Sequence, residues 1–295
     1  MEIVVIQAVV VGLLMGGILA LVAVGLSLIL GVANIMTFVH GDYLMIAMYT
    51  TFGFVIATGL DPYWAVFVAV PGTFLLAILT YRYIPAVGRI VDKVAMSQML
   101  YMLGFSYFLQ NLALMLFSAK YRTLSTAATQ LNTRVGEIFI SGPRLIAGTV
   151  SIALTLGLLW FLRNTDTGRS IRAAAQDRDA AAMMGINVPR TYMLAWALGI
   201  GLLGFAGPLL APIFSFYPTV GNYYLMLGFM VVVLGGLGNV QGALVGGLIM
   251  GVALELGNVF MPGSSGPILP FLIFVSVLLF KPEGLFGEAL RGGRK

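Results

Sequence analysis

From Thr191 to Leu254 the chain runs 64 residues without an Asp, Glu, Lys or Arg. A soluble domain must cover its exposed shell with polar groups, so its charges are spread along the sequence. A stretch this long and this bare belongs in a solvent that is itself apolar. The rest of the chain repeats the pattern, with charge-free runs at 3–41, 43–60, 62–81, 94–119, 145–162 and 256–280. The whole composition agrees: 60% of residues are hydrophobic and 9% charged, against roughly 45–50% and 25% in soluble proteins. This is an integral membrane protein.

A helix crossing the ~30 Å hydrocarbon core needs about 20 apolar residues. The 64-residue run therefore holds several helices, broken near Pro208, Pro212 and Pro218 and again at Gly235-Gly236-Leu237-Gly238. Nine spans result, at about 5–30, 42–60, 62–81, 95–118, 145–162, 190–211, 220–236, 241–260 and 266–281. Eight result if 31–60 includes a re-entrant piece. The expected fold is thus all-α, a polytopic bundle of about eight to nine transmembrane helices with a broken or re-entrant segment near 31–42. The first stretch has no basic residues ahead of it and outruns a signal-peptide core, so it is expected to stay as a span.

Sixteen Lys and Arg face eleven Asp and Glu, a balance of +5. The charges sit between apolar runs rather than in a stripe, so they report topology and not a nucleic-acid partner. Gaps 82–93 and 163–190 and the tail from 281 hold twelve Lys and Arg, and 119–144 holds four. The positive-inside rule puts the twelve in the cytoplasm. That orientation sends the N-terminus outside, the C-terminus inside and the segment 119–144 to the periplasmic side. Within that segment, residues 135–140 read as a short hairpin or edge strand, either a docking element or a plain connector.

The gap 163–190 is the most informative stretch. Six Ala in the ten residues 173–182 favour helix, and Asp177 or Asp179 can cap a second short helix. Gly185 supplies a left-handed stop, and Asn187 with Pro189 can open the next span. Two short helices are expected to present Ile171, Met183, Met184 and Ile186 beside Arg169, Arg172 and Asp177. A loop that only fixes topology and touches lipid headgroups would be shorter and more polar. Small residues, a Met pair and a Gly turn suit a groove in a cytoplasmic partner.

This loop is similar to the coupling segment of ABC importer permeases, where Ala-rich sequence runs into a Gly-Ile turn. Three further stretches resemble the branched-chain amino-acid (LivH-type) permeases: Gly25 to Ile35 continuing through His40-Gly41, Gly235 to Asn239 continuing through Gly242-Ala243, and Pro282-Glu283-Gly284-Leu285-Phe286-Gly287. The family usually carries Asn-Phe/Leu-Ala before His-Gly, where this chain has Thr37-Phe38-Val39. The resemblance implies one transmembrane permease domain over 1–295, with a coupling loop at 163–190 and a cytoplasmic tail at 282–295. It implies a bacterial inner-membrane subunit importing branched-chain or related small amino acids; urea, short amides and aromatic acids are substrates of related permeases. It also implies two cytoplasmic ATPase subunits, a second and paralogous permease, and a periplasmic solute-binding protein. On it, Arg169, Ile171, Arg172, Ala174, Asp177, Ala181, Met184 and Gly185 are expected to meet the ATPase.

Charged and strongly polar groups inside a membrane are costly, so each is a functional candidate. Glu255 lies well within a span and would line a pathway, pair with an arginine of a partner permease, or simply end a helix. Asn34 and His40 flank the expected helix break and could offer hydrogen bonds to a zwitterion; His40 and Asp42 read equally as interfacial and helix-capping groups. Gln98, Gln110 and Asn111 read as interhelical hydrogen-bonding groups. Gly238, Gly242 and Gly246 recur every four residues, as do Gly247 with Gly251 and Gly12 with Gly16. Such ridges let helix backbones approach closely, or serve as a hinge.

The chain has no Gly-x-x-x-x-Gly-Lys-Ser/Thr sequence, so ATP and its Mg would be bound by the partner subunits and the chain is not expected to be an enzyme. With one His and no Cys, no His/Cys metal site is expected. Two other classes compete. Gly263-Ser264-Ser265-Gly266 matches an intramembrane serine-protease pattern, but prolines flank it and His40 precedes it, the wrong order for rhomboids. An ion-coupled carrier would place acids near the midplane, and only Glu255 qualifies.

Overall fold

The computed structural model describes residues 1–33, 37–83, 95–130, 133–135, 138–261 and 265–287. Its helices are α1 (Glu2–Ala33), α2 (His40–Thr58), α3 (Val66–Tyr83), α4 (Ala95–Phe117), α5 (Gly142–Asn164), α6 (Asp166–Gln176) and α7 (Arg178–Met183), followed by α8 (Val188–Leu210), α9 (Val220–Gly235), α10 (Val240–Phe260) and α11 (Ile268–Phe280). Two three-residue strands, β1 (Thr133–Val135) and β2 (Ile138–Ile140), pair antiparallel with Arg134 opposite Phe139. The protein is an all-α polytopic membrane bundle with one small ribbon. Among the described residues, six helices are long and apolar enough to cross a bilayer, and Val220–Gly235 and Ile268–Phe280 are shorter apolar helices.

Two helices form the centre. The α1 span is 83% buried and the α8 span 78%, whereas the spans beginning at Pro62 and Met99 are each 28% buried. α1 packs most extensively on α10 and also touches α8, α5 and α9. Apolar all round, such helices cannot choose their neighbours by hydrophobicity in lipid, so shape decides. On α1, a methyl at Gly12 would sit 2.6 Å from Val252 Cα, and one at Gly16 2.7 Å from Leu248 Cα. From the α10 side, one at Gly247 would sit 2.6 Å from Ala20 Cα, and one at Gly251 would fall on the Gly16 backbone. Gly242 and Gly246 turn instead to α9, against Gly235 and Val231 O. Gly238 differs from the helical ridge expected of it: at φ +78° it lies in the turn before α10 and packs on Gly31.

The break near residue 31–42 has a distinct geometry. His40 Nε2 donates to Val22 O at 3.0 Å, although α1 continues eleven residues beyond Val22. At 1.5 Å per residue, α2 therefore begins about 16 Å back along α1 from its C-terminal end. Residues 34–36 of the expected break lie outside the described residues, and the start of α2 already lies inside the bundle, with His40 and Asp42 buried. Gly41 and Gly221 permit this start, since a methyl at either would meet the other's backbone.

Candidate functional site

The two ends of the bundle differ. At the N-terminal end of α1 the segment after α4 is strapped down. Asp61 caps the 3-10 turn Pro62–Ala65 through Tyr63 N, and its other oxygen accepts from Thr126 Oγ1 at 2.6 Å and Ala127 N at 2.9 Å. Arg122 exchanges backbone bonds with Phe216, donates to Phe117 O at 2.8 Å and lies 4.3 Å over the Phe52 ring. The ribbon rests near α1 through Gln7 and Phe139 O. Glu255 belongs to this end as well. Its carboxylate is 3.7 Å from Arg144 of α5, so the cation beside it comes from its own chain.

At the opposite end, three side-chain caps start three successive helices. Thr165 accepts from Gly168 N, Asp177 from Asp179 N and Ala180 N, and Asn187 from Arg190 N. Gly185 follows α7 at φ +83°, a conformation costly for residues with a Cβ. The reverse turn thrusts Met183 and Met184 outward, 85% and 83% exposed. Arg169 is exposed and pairs with Asp166 at 3.1 Å, three residues back on α6.

One expectation fails here. Ile171, read from sequence as presented to a partner, is 1% exposed, and Ala174 and Ala181 are also buried. Gly168, Ile171 and Ala174 recur every three residues and so share one helix face. That face lies on the end of α5, where a methyl at Gly168 would meet Leu162. Ile171, Ala174 and Ala181 hold the short helices onto the bundle, leaving Met183, Met184 and Gly185 as the exposed tip.

The sequence stretches that carry the family resemblance converge behind this tip. Leu285 N and Phe286 N donate to Leu234 O and Gly235 O, and Asn239 Nδ2 donates to Phe286 O at 2.9 Å. Gly236 and Gly284 both have left-handed φ, and each would strike the other stretch if it carried a methyl. Together with the C-terminal end of α1 and with α6, they line a half-open cavity of about 670 Å³.

The bundle interior holds the second candidate. Gln110 Nε2, on α4, lies 2.9 Å from Asp42 Oδ1, 3.0 Å from Ser106 Oγ and 3.1 Å from Asn222 Oδ1. It joins α2, α4 and α9. Asp42 is 1% exposed, and its Oδ2 has no hydrogen-bond partner. Interfacial positions for His40 and Asp42 are therefore corrected: both lie inside the bundle because α2 begins at depth. Asn111 bonds to Tyr107 O of its own helix. Asn222 also lines a mostly apolar cavity of about 450 Å³ with Thr37, Phe38 and Phe274. Asn34, the Gln98 side chain and the Gly263-Ser264 turn lie outside the described residues.

Residues 8–278 match the family model described as the permease component of a branched-chain amino acid transport system. The chain belongs to this family. Among curated relatives it is 29% identical to the high-affinity branched-chain amino acid transport permease LivH of Salmonella typhimurium, with 94% of each chain covered. It is 28% identical to BraD of Pseudomonas aeruginosa, over 96% of this chain and 95% of that one. A probable LivH of Methanocaldococcus jannaschii is 25% identical over 91% of this chain and 88% of its own length. No solved structure matches this permease-family chain significantly.

Proposed function

We propose that the chain is one transmembrane subunit of an ATP-binding-cassette importer that moves branched-chain or related small amino acids inward across the bacterial inner membrane. A periplasmic binding protein delivers the solute, a paralogous permease completes the pathway, and two separate ATPase subunits supply the work. The α6–α7 end is cytoplasmic, as is the C-terminus, and the N-terminus is periplasmic. The observation that carries the reading is the exposed Met183–Met184–Gly185 tip on two capped short helices seated on the bundle. Unbranched, polarizable Met side chains suit a groove in another protein. In this reading Met184, Gly185, Arg169 and Asp177 shape the contact, Arg172 anchors α6 from behind, and Ile171, Ala174 and Ala181 seat the device. The polar groups at Asp42, Gln110 and Asn222 lie along the route that the solute takes, with His40 pinning the re-entrant start of α2. Glu255 steadies the outer end through Arg144.

The test has two parts. The tagged chain, purified from its host in gentle detergent, should bring stoichiometric ATPase subunits and a second permease, as read by mass spectrometry. Gly185→Val should then assemble but lose substrate-stimulated ATP hydrolysis. No atom lies within 4 Å of a methyl at Gly185, so the damage comes from the left-handed backbone alone, about 1–2 kcal/mol. A chain that arrives alone and takes up solute in vesicles without ATP would overturn the proposal.

A further inference from the structure

The cavity behind α6 has a chemistry that the transport reading does not use. Its walls combine two cations, Arg163 and Arg172, one anion, Glu283, and apolar side chains that include Leu28, Leu159 and Leu162. Arg172 Nη2 donates to Arg163 O at 3.3 Å, which brings the end of α5 and the middle of α6 together. Among the described residues, neither arginine nor Glu283 has an ion-pair partner. Two arginines and one glutamate therefore line one cavity, with no ion pair among these described residues.

Depth and charge pattern narrow the occupant. Leu159 lies five residues before the end of α5, and Leu28 five before the end of α1, so the apolar wall descends about 7–8 Å from the helix ends. An arginine pair at the mouth of a pocket between membrane helices suits a lipid phosphate, which guanidinium groups bind by charge-assisted hydrogen bonds. Glu283 repels a headgroup that is only anionic and attracts one with its own cation. We propose that the cavity seats a phospholipid whose headgroup joins a phosphodiester to a primary ammonium. The phosphate lies at Arg163 and Arg172, the ammonium at Glu283, and the first methylenes along Leu28, Leu159 and Leu162. The lipid wedges α6 against α1 and the C-terminal segment. This site does not depend on the importer reading, because it is a property of the chain itself.

The test is lipid retention by the full-length chain purified in mild detergent, read by native mass spectrometry. Wild type should keep about one phosphatidylethanolamine through detergent washes that remove bulk lipid. R163Q/R172Q should lose that lipid only about tenfold more readily, since both arginines are exposed and their charge contacts with a phosphate are weakened by solvent screening. R163K/R172K should retain most of it. Both arginines are exposed, so an unchanged melting temperature would show that R163Q/R172Q is folded. In mixed vesicles, E283Q should keep a lipid but shift its choice toward phosphatidylglycerol. Equal retention by wild type and R163Q/R172Q, unchanged headgroup choice in E283Q, or displacement of the lipid by a millimolar free amino acid would each overturn the assignment.

Discussion

Replacing Gly247 with Ala should destabilise the protein, and replacing Gly104 with Ala should not. The Gly247 methyl would sit 2.6 Å from both Cα and Cβ of Ala20 and 2.7 Å from its N. Ordinary van der Waals contact begins near 3.4 Å, so α1 and α10 must part by nearly 1 Å at that crossing. Two helix backbones have no side-chain torsion with which to absorb this. Overpacking of this kind costs about 1–3 kcal/mol, and the parting also loosens the contacts at Gly12, Gly16 and Gly251. Alanine returns up to about 1 kcal/mol of helix propensity, so even at full return a mid-range overpacking cost leaves a net loss of about 1 kcal/mol. At Gly104 nothing lies within 4 Å of the added methyl, so only the propensity gain remains. Thermal unfolding of both variants in one detergent, followed by intrinsic fluorescence, should separate them by several degrees, with Gly247→Ala melting lower. Gly251→Ala should melt lower again, because its methyl falls directly on Gly16 backbone. If Gly247→Ala melts at or above wild type, close backbone approach does not organise this helix pair.

Gln110→Leu should cost about 1–3 kcal/mol and reduce uptake, because Asp42 Oδ1 loses the amide donor it has in a buried site; a variant with wild-type melting and uptake would count against the network. The Arg144–Glu255 pair is 3.7 Å apart with the arginine side chain 36% exposed, so a double-mutant cycle with Arg144→Gln and Glu255→Gln should give a coupling below about 1 kcal/mol. A coupling of several kcal/mol there would show that the pair acts as a buried unit. Arg122→Ala removes a cation–π contact and a hydrogen bond to Phe117 O. Limited proteolysis should then cut the segment after α4 faster than in wild type, and an unchanged cleavage rate would mean that the strap does not depend on Arg122.

Element positions were legible because charge-free runs and glycine or proline breaks act along one dimension. Among the described residues, nine helices of thirteen residues or more fall within a few residues of the runs that mark them, six of them long and apolar enough to cross a bilayer against the nine spans expected, and Asp177, Gly185 and Asn187 take the local roles that their side chains dictate. Depth was not legible. Asp42 ends a charge-free run, so it reads as a residue at the membrane surface. Only the return of the chain along α1 carries it inside, where it meets Gln110 from 68 positions away. Burial of Ile171 was hidden for a related reason: α6 is polar overall, and its three-residue apolar face has meaning only once the end of α5 lies beneath it. Glu255 could be recognised as costly, but not that Arg144, more than a hundred residues earlier, stands beside it.

The stretches that resemble the permease family lie far apart in sequence, yet the fold brings them to one joint for a reason visible in their glycines. Gly236, Gly238 and Gly284 take left-handed φ values, and each faces another stretch's backbone at a distance that no Cβ would allow. Side-chain packing alone cannot bring backbone this close, so sequence at these positions is limited by space as well as by conformation. The joint seats the end of α1 through Gly31 and Gly238, and α6 packs on α1 beside it. From there α1 runs as unbroken helix to Val22, whose carbonyl holds His40 at the re-entrant start of α2. One unbroken helix, α1, thus touches both α6, which seats the exposed tip, and the start of α2, which carries Asp42 into the interior polar cluster.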